Sequence, residues 1–229
     1  MPHHRFRFQE VFPPDDVRAE WVATLALAFN DLSLVRVQMG KDEASKYRWL
    51  YWFRLGIAHF AEAASYLRDT TKIPEISAFI DSLPAHVRGH LRECLDCYAD
   101  HEEVIERIRN EAGFHYPELE IQDGKRRKRP MQAVLEALGG NCGQIVGETI
   151  GDARLLFADD IASMLVLRAH GGGLKASAVE EVEVLGQVHI EIEGGSGPFL
   201  KFVSGVLGRH VRLAVERGAE WEPIPDEPS

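Results

Sequence analysis

The chain has 229 residues, 45% of them hydrophobic, and sets 26 Lys and Arg against 36 Asp and Glu for a formal charge of -10. That length and hydrophobic content suffice for a sizeable core, in one domain or a domain with an appendage, while the acidic balance excludes a surface generally coated by nucleic acid. No apolar run approaches the roughly 18 residues of a membrane span, the start Met-Pro-His-His-Arg-Phe-Arg-Phe lacks the apolar core of a signal peptide, and three cysteines do not suit a disulfide framework, so a cytoplasmic protein is expected.

Residues 1–14, with alternating Arg5, Phe6, Arg7 and Phe8 and the pair Pro13-Pro14, read as an extended arm with little structure of its own. Asp15 and Asp16 can cap the helix that follows, in which Trp21, Leu25, Phe29 and Leu32 recur at helical spacing up to about Met39, ahead of Gly40. A second helix, capped by Asp42 and running to about Asp69, places Trp49, Trp52, Phe53, Ile57, Phe60, Ala64 and Leu67 on a broad apolar face. It should be the most buried. Pro74 opens a short helix ending near Leu83. Pro84 then opens a long one with apolar positions Val87, Leu91, Cys94, Leu95, Tyr98, Ile105 and Ile108.

From Glu118 to Pro130 the periodicity disappears, which reads as a surface loop, and a short helix from Met131 to Leu138 follows. Five glycines between Gly139 and Gly151 break any helix, and Gln144 to Thr149 with Ala153 to Phe157 read as two short strands of a hairpin. Asp159 can cap a helix that runs through Ile161, Met164, Leu165 and Leu167 to Gly171. Residues 181–193 fit both a strand and a helix. The Ser177/Glu180 capping box decides for helix, with Val182, Leu185, His189 and Ile192 on one face. Gly194 to Pro198 reads as a hinge before a last helix from Phe199 to Arg217. The prediction is a mostly all-α protein: an arm (1–14), a helical bundle core (15–170) with a small irregular or β-hairpin insertion around 140–157, a C-terminal helical extension (171–217) and a tail (218–229).

The stretch from Glu106 to Pro117 concentrates polar groups where the long helix should run out. Ile105, Ile108 and Ala112 continue its apolar face, Gly113 can close it, and Pro117 prevents its resumption. Arg109, Asn110 and His115 are left beside the helix end. A guanidinium and an imidazole together can hold a phosphate and move a proton at neutral pH, which is what cutting RNA without a metal requires.

This Arg-Asn-x4-His pattern resembles the motif of the HEPN superfamily (higher eukaryotes and prokaryotes nucleotide-binding), over a core from about Asp42 to His170. The resemblance implies an all-helical bundle, catalytic places for Arg109 and His115, and the polar place for Asn110. It also implies a homodimer with the motif facing the subunit interface, and metal-independent RNA cleavage with no cofactor. On an ideal helix, six residues rotate by about 600°, leaving Arg109 and His115 roughly 120° apart, so a break at Gly113 is needed to bring them together. Glu62, on the second helix, is a candidate partner for Arg109 or a member of a solvated face.

A second account leaves the stretch without chemistry: Arg109 bonds to acidic neighbours such as Glu106, Asn110 satisfies helix-end groups, and Phe114, His115 and Tyr116 pack the turn. The chain is then a non-catalytic helical interaction module with protein partners. The run Lys125, Arg126, Arg127, Lys128 and Arg129 is the one strong positive feature, since without it the formal charge would fall from -10 to -15. It can guide RNA, or serve as a solvated loop or a nuclear-localisation signal. Cys94, Cys97 and His101 share one helical stripe but read as seam packing, not as zinc ligands, and His59 reads as a satisfied core histidine.

Overall fold

The computed structural model describes residues 3–41, 46–110, 144–145, 154–171 and 178–224. The fold is all-α, with helices α1 (Phe8–Val11), α2 (Val17–Lys41), α3 (Lys46–Thr70), α4 (Pro74–Asp81), α5 (Ala85–Ile108), α6 (Leu156–Ala169) and α7 (Ala178–Glu216). Two small antiparallel pairs accompany them. Strand β1 (His3–Phe6) pairs with β4 (Trp221–Ile224), with Phe6 opposite Trp221, and β2 (Gln144–Ile145) pairs with β3 (Arg154–Leu155). Among the described residues no helix is long and apolar enough to cross a membrane.

Local chemistry sets the helix starts. The carboxylate of Asp16 accepts the backbone N–H groups of Arg18 and Ala19 and a further bond from the Arg18 side chain, which is the capping arrangement that satisfies otherwise orphaned donors. Burial pushes the Asp16 pKa up, but the Arg18 guanidinium and these two N–H groups outweigh it and hold the group below its usual value. Pro74 occupies the first turn of α4, and the Pro84 carbonyl accepts the N–H groups of Val87 and Arg88 at the head of α5. Helix α6 begins at Leu156, so Asp159 lies in its first turn instead of capping it.

One apolar core runs through α2 to α7. Trp21, Leu25, Leu32 and Val35 come from α2, Phe53, Ile57, Phe60 and Leu67 from α3, and Leu91, Cys94, Tyr98 and Ile105 from α5. Phe199, Phe202, Val203 and Val206 of α7 have no exposed surface. This overturns the reading of 171–217 as an extension: its helical residues fill the middle of the bundle. It also overturns the hinge, since α7 is one helix of 39 residues passing through Gly194 to Pro198.

Pro198 removes one helical hydrogen bond and crowds the preceding turn, at a cost of roughly 3 kcal/mol. Burying a large apolar side chain contributes about 1.5–3 kcal/mol, so the four residues just beyond the proline outweigh that cost. One glycine of this stretch has a packing reason. A Cβ at Gly195 would collide with the Phe60 ring and stand 3.0 Å from Cys97 Sγ, so only glycine lets α7 approach α3 and α5 this closely.

Among the described residues, the segments before α2 and after α7 also pack together. Val11 is fully buried, His210 Nε2 donates to the Val11 carbonyl at 2.7 Å, and the Phe12 ring lies 5.1 Å from the His210 ring. Gly218, with φ of +100°, turns the chain out of α7, and the Glu220 N–H then donates to Glu10. The arm and the tail thus close on each other through the β1–β4 ladder.

These contacts separate two glycines of the same helix. Gly195→Ala should destabilise the protein by about 1–3 kcal/mol through overpacking. Gly186→Ala, whose Cβ meets nothing within 4 Å, should stabilise it by about 0.5–1 kcal/mol through helix propensity. Urea unfolding of both variants checks the pair.

Candidate functional site

The end of α5 carries the Arg-Asn pair: Arg109 caps the helix in right-handed helical geometry, its N–H directed to the Ile105 and Glu106 carbonyls, and Asn110 follows it. This end is held from two helices. Arg109 Nη1 donates to Glu106 Oε2 at 2.8 Å, one turn earlier on α5, and Nη2 pairs with Glu62 of α3. The other oxygen of Glu106 accepts the Tyr98 hydroxyl at 2.6 Å. Arg68 of α3 lies over the Tyr98 ring, its guanidinium carbon 5.3 Å from the centroid, and donates to Glu102 at 2.5 Å. Tyr98 is buried in the middle, so α3 and α5 are joined by two arginines and three carboxylates around one phenol.

The electrostatics follow from that composition. Burial pushes the Glu106 carboxyl up, but the Tyr98 hydroxyl and the Arg109 guanidinium more than compensate and leave it below its usual range. Burial, reinforced by the hydrogen bond to Glu106, holds the Tyr98 phenol well above its ordinary value, so it stays protonated and donates. The Arg109 pKa is raised first by the bond to Glu106; burial, next in size, works against this, and the bond to Glu62 adds to the rise. Its charge is committed to two carboxylates, and its buried Nε has no partner among the described residues. Arg109 is 25% exposed at its side chain and Glu62 is 53% exposed, so Glu62 is the partner open to exchange.

His115 and the run Lys125, Arg126, Arg127, Lys128 and Arg129 lie outside the described residues, as do the surface loop and the helix expected from Met131 to Leu138. The structure therefore places Arg109, Asn110 and Glu62 and brings two of them together: Arg109 with Glu62. Asn110 is exposed. Arg107, next to this site in sequence, points elsewhere, donating to the Ala169 carbonyl at 3.0 Å and so finishing the C-terminal end of α6.

A second polar cluster, which sequence reasoning missed, joins α5, α7 and the turn that follows α6. Glu191 stands 3.6 Å from His101 Nδ1 and 3.7 Å from His170 Nε2, and accepts from Gln187 Nε2 at 3.0 Å. The Cys97 thiol donates to the Glu191 backbone carbonyl at 3.0 Å. Only the i, i+4 spacing of Gln187 and Glu191 signals part of it in the sequence, because His101 comes from α5 and His170 from the turn after α6. Among the described residues no group of His, Cys, Asp and Glu is arranged to hold a metal ion. Cys94 is buried and its thiol is pushed up to about 12, by burial and then by the nearby Cys97, which makes it an inert packing residue. His59 is partly exposed and stands 3.6 Å from Asp31 across the α2–α3 seam, so it is not a core histidine.

Comparison with protein-family models, curated proteins and solved structures finds no match. The functional reading therefore rests on the chain's own geometry.

The network at Glu106 has an acid-side signature. A carboxyl held below its ordinary value of 4.5 in the folded state contributes stability above that value and loses it as pH falls through the folded value. Glu106→Gln should therefore cost stability at about pH 7, of order 1 kcal/mol, and the difference from wild type should shrink towards about pH 3. Urea unfolding across that range reads both.

Proposed function

We propose that this chain is a HEPN-like protein that acts on RNA at the end of α5, with His115 as the proton-transfer group and Arg109 and Asn110 meeting the phosphate. The observation that carries the reading is the Arg-Asn pair at the end of α5, its guanidinium held by carboxylates from two helices. A fixed guanidinium loses little freedom on meeting a phosphate, which is how positioning lowers a barrier. In the reaction, His115 accepts the proton of a ribose 2′-hydroxyl, whose oxygen attacks the adjacent phosphorus. The bond from phosphorus to the 5′-oxygen breaks, that oxygen takes up a proton, and a cyclic phosphate end remains. The run from Lys125 to Arg129 draws the RNA strand to an otherwise acidic molecule. The setting is cytoplasmic, and the protein works as a homodimer.

The two carboxylates on Arg109 impose a condition. With both in place the local charge is negative and opposes a phosphate, so the phosphate must take the position of Glu62, the more exposed partner. The same neutralisation favours a second reading, in which Arg109 only locks α3 to α5 and the chain is a non-catalytic interaction module.

The readings differ in what three variants do. Under RNA cleavage, His115→Ala and Arg109→Ala each remove activity on single-stranded RNA, by ~10²- to 10⁴-fold, and cleavage persists in a chelator. Glu62→Gln should tighten RNA binding, because the competing carboxylate charge is gone. Under the interaction-module reading, the wild type is inert towards RNA between about pH 6 and 9 and Glu62→Gln leaves binding unchanged. Gel-based cleavage and fluorescence anisotropy on the same RNA decide between them.

A further inference from the structure

Helix α2 is apolar on both sides. Its inner face buries Trp21, Val22, Leu25, Leu32, Val35 and Met39 in the bundle, yet on the opposite face Leu27 is 68% exposed, Leu34 54% and Val37 53%. Exposed leucines one heptad apart on a helix form the seam that a second helix covers. The seam continues by the same step at both ends: Glu20 lies seven residues before Leu27 and Lys41 seven after Leu34, and both are exposed.

The order Glu20, Leu27, Leu34, Lys41 reads as its own complement when reversed. We propose that this face is a two-fold interface between two copies of the chain, with α2 packed antiparallel on α2 of the second copy. An axis between Asn30 and Asp31 sets Leu27 against Leu34 of the second copy and Glu20 against Lys41 of the second copy, twice each by symmetry. The same axis sets Thr24 against Val37 of the second copy. A parallel pairing would oppose like charges at both ends, so the charges select the antiparallel one. The pairing commits to a second copy as the occupant because one face supplies both halves of every contact. It rests on no part of the RNA reading.

Sedimentation of the full chain across a concentration series tests it. The wild type should show a concentration-dependent dimer. Leu27→Glu with Leu34→Glu should give a monomer with the helix content and melting temperature of the wild type, since neither leucine belongs to the core. Glu20→Lys alone and Lys41→Glu alone should each weaken the dimer about tenfold, because each turns two attractions into repulsions, and the double reversal should restore it. The charge variants remain decisive even if the leucine variants misfold. A wild type that stays monomeric, or a double reversal as weak as the single ones, overturns the antiparallel pairing.

Discussion

The close approach of α7 to α3 and α5 at Gly195 is the contact on which the remaining architecture depends. Phe60 and Cys97 occupy the space that any side chain at that position would need. With α7 seated there, Phe199, Phe202, Val203 and Val206 are carried into the core and the Pro198 defect is outweighed. The same helix presents Glu191 to His101 and His170, and His210 to the carbonyl of Val11. The junction around Glu191 and the packing of the N-terminal segment are thus both consequences of one unbroken helix.

The polar network at the end of α5 works under a different constraint. Tyr98, Glu62, Glu102, Glu106, Arg68 and Arg109 combine two positive and three negative side chains at a seam that is only partly exposed. Partners this exposed contribute little each to stability. Their effect is geometric: they hold Arg109 between α3 and α5, with Glu62 its more exposed partner. An arginine so placed is either a lock between helices or a clamp that opens when a stronger anion arrives, and the exposure of Glu62 gives the second role a physical route.

Much of the bundle was legible in the sequence, because the signals there are local. Pro74 and Pro84 mark helix starts, Asp16 caps α2, and the spacing of Val87, Leu91, Cys94, Tyr98, Ile105 and Ile108 marks the buried face of α5. Glu62 was open to two readings in the sequence, a partner for Arg109 or a member of a solvated face; in the structure it pairs with Arg109 and is half exposed. The errors fall where tertiary packing overrides local preference. Gly194 to Pro198 has the composition of a joint, yet close packing against Phe60 selects the helix. The β1–β4 ladder joins residues about 220 apart along the chain and has no local signature. The cluster around Glu191 draws on α5, α7 and the turn after α6, so no spacing rule could assemble it.

The central claim is that α7 is one structural element of the core and not an appendage behind a hinge. Native-state hydrogen exchange measures this directly, because amides in the core exchange only through global unfolding while those beyond a hinge open separately. The account predicts that amides from 199 to 206 are protected to the same free energy as those of α5 around Tyr98, with the same denaturant dependence. Protection of 199–206 well below that of α5, lost through a separate opening, would contradict it.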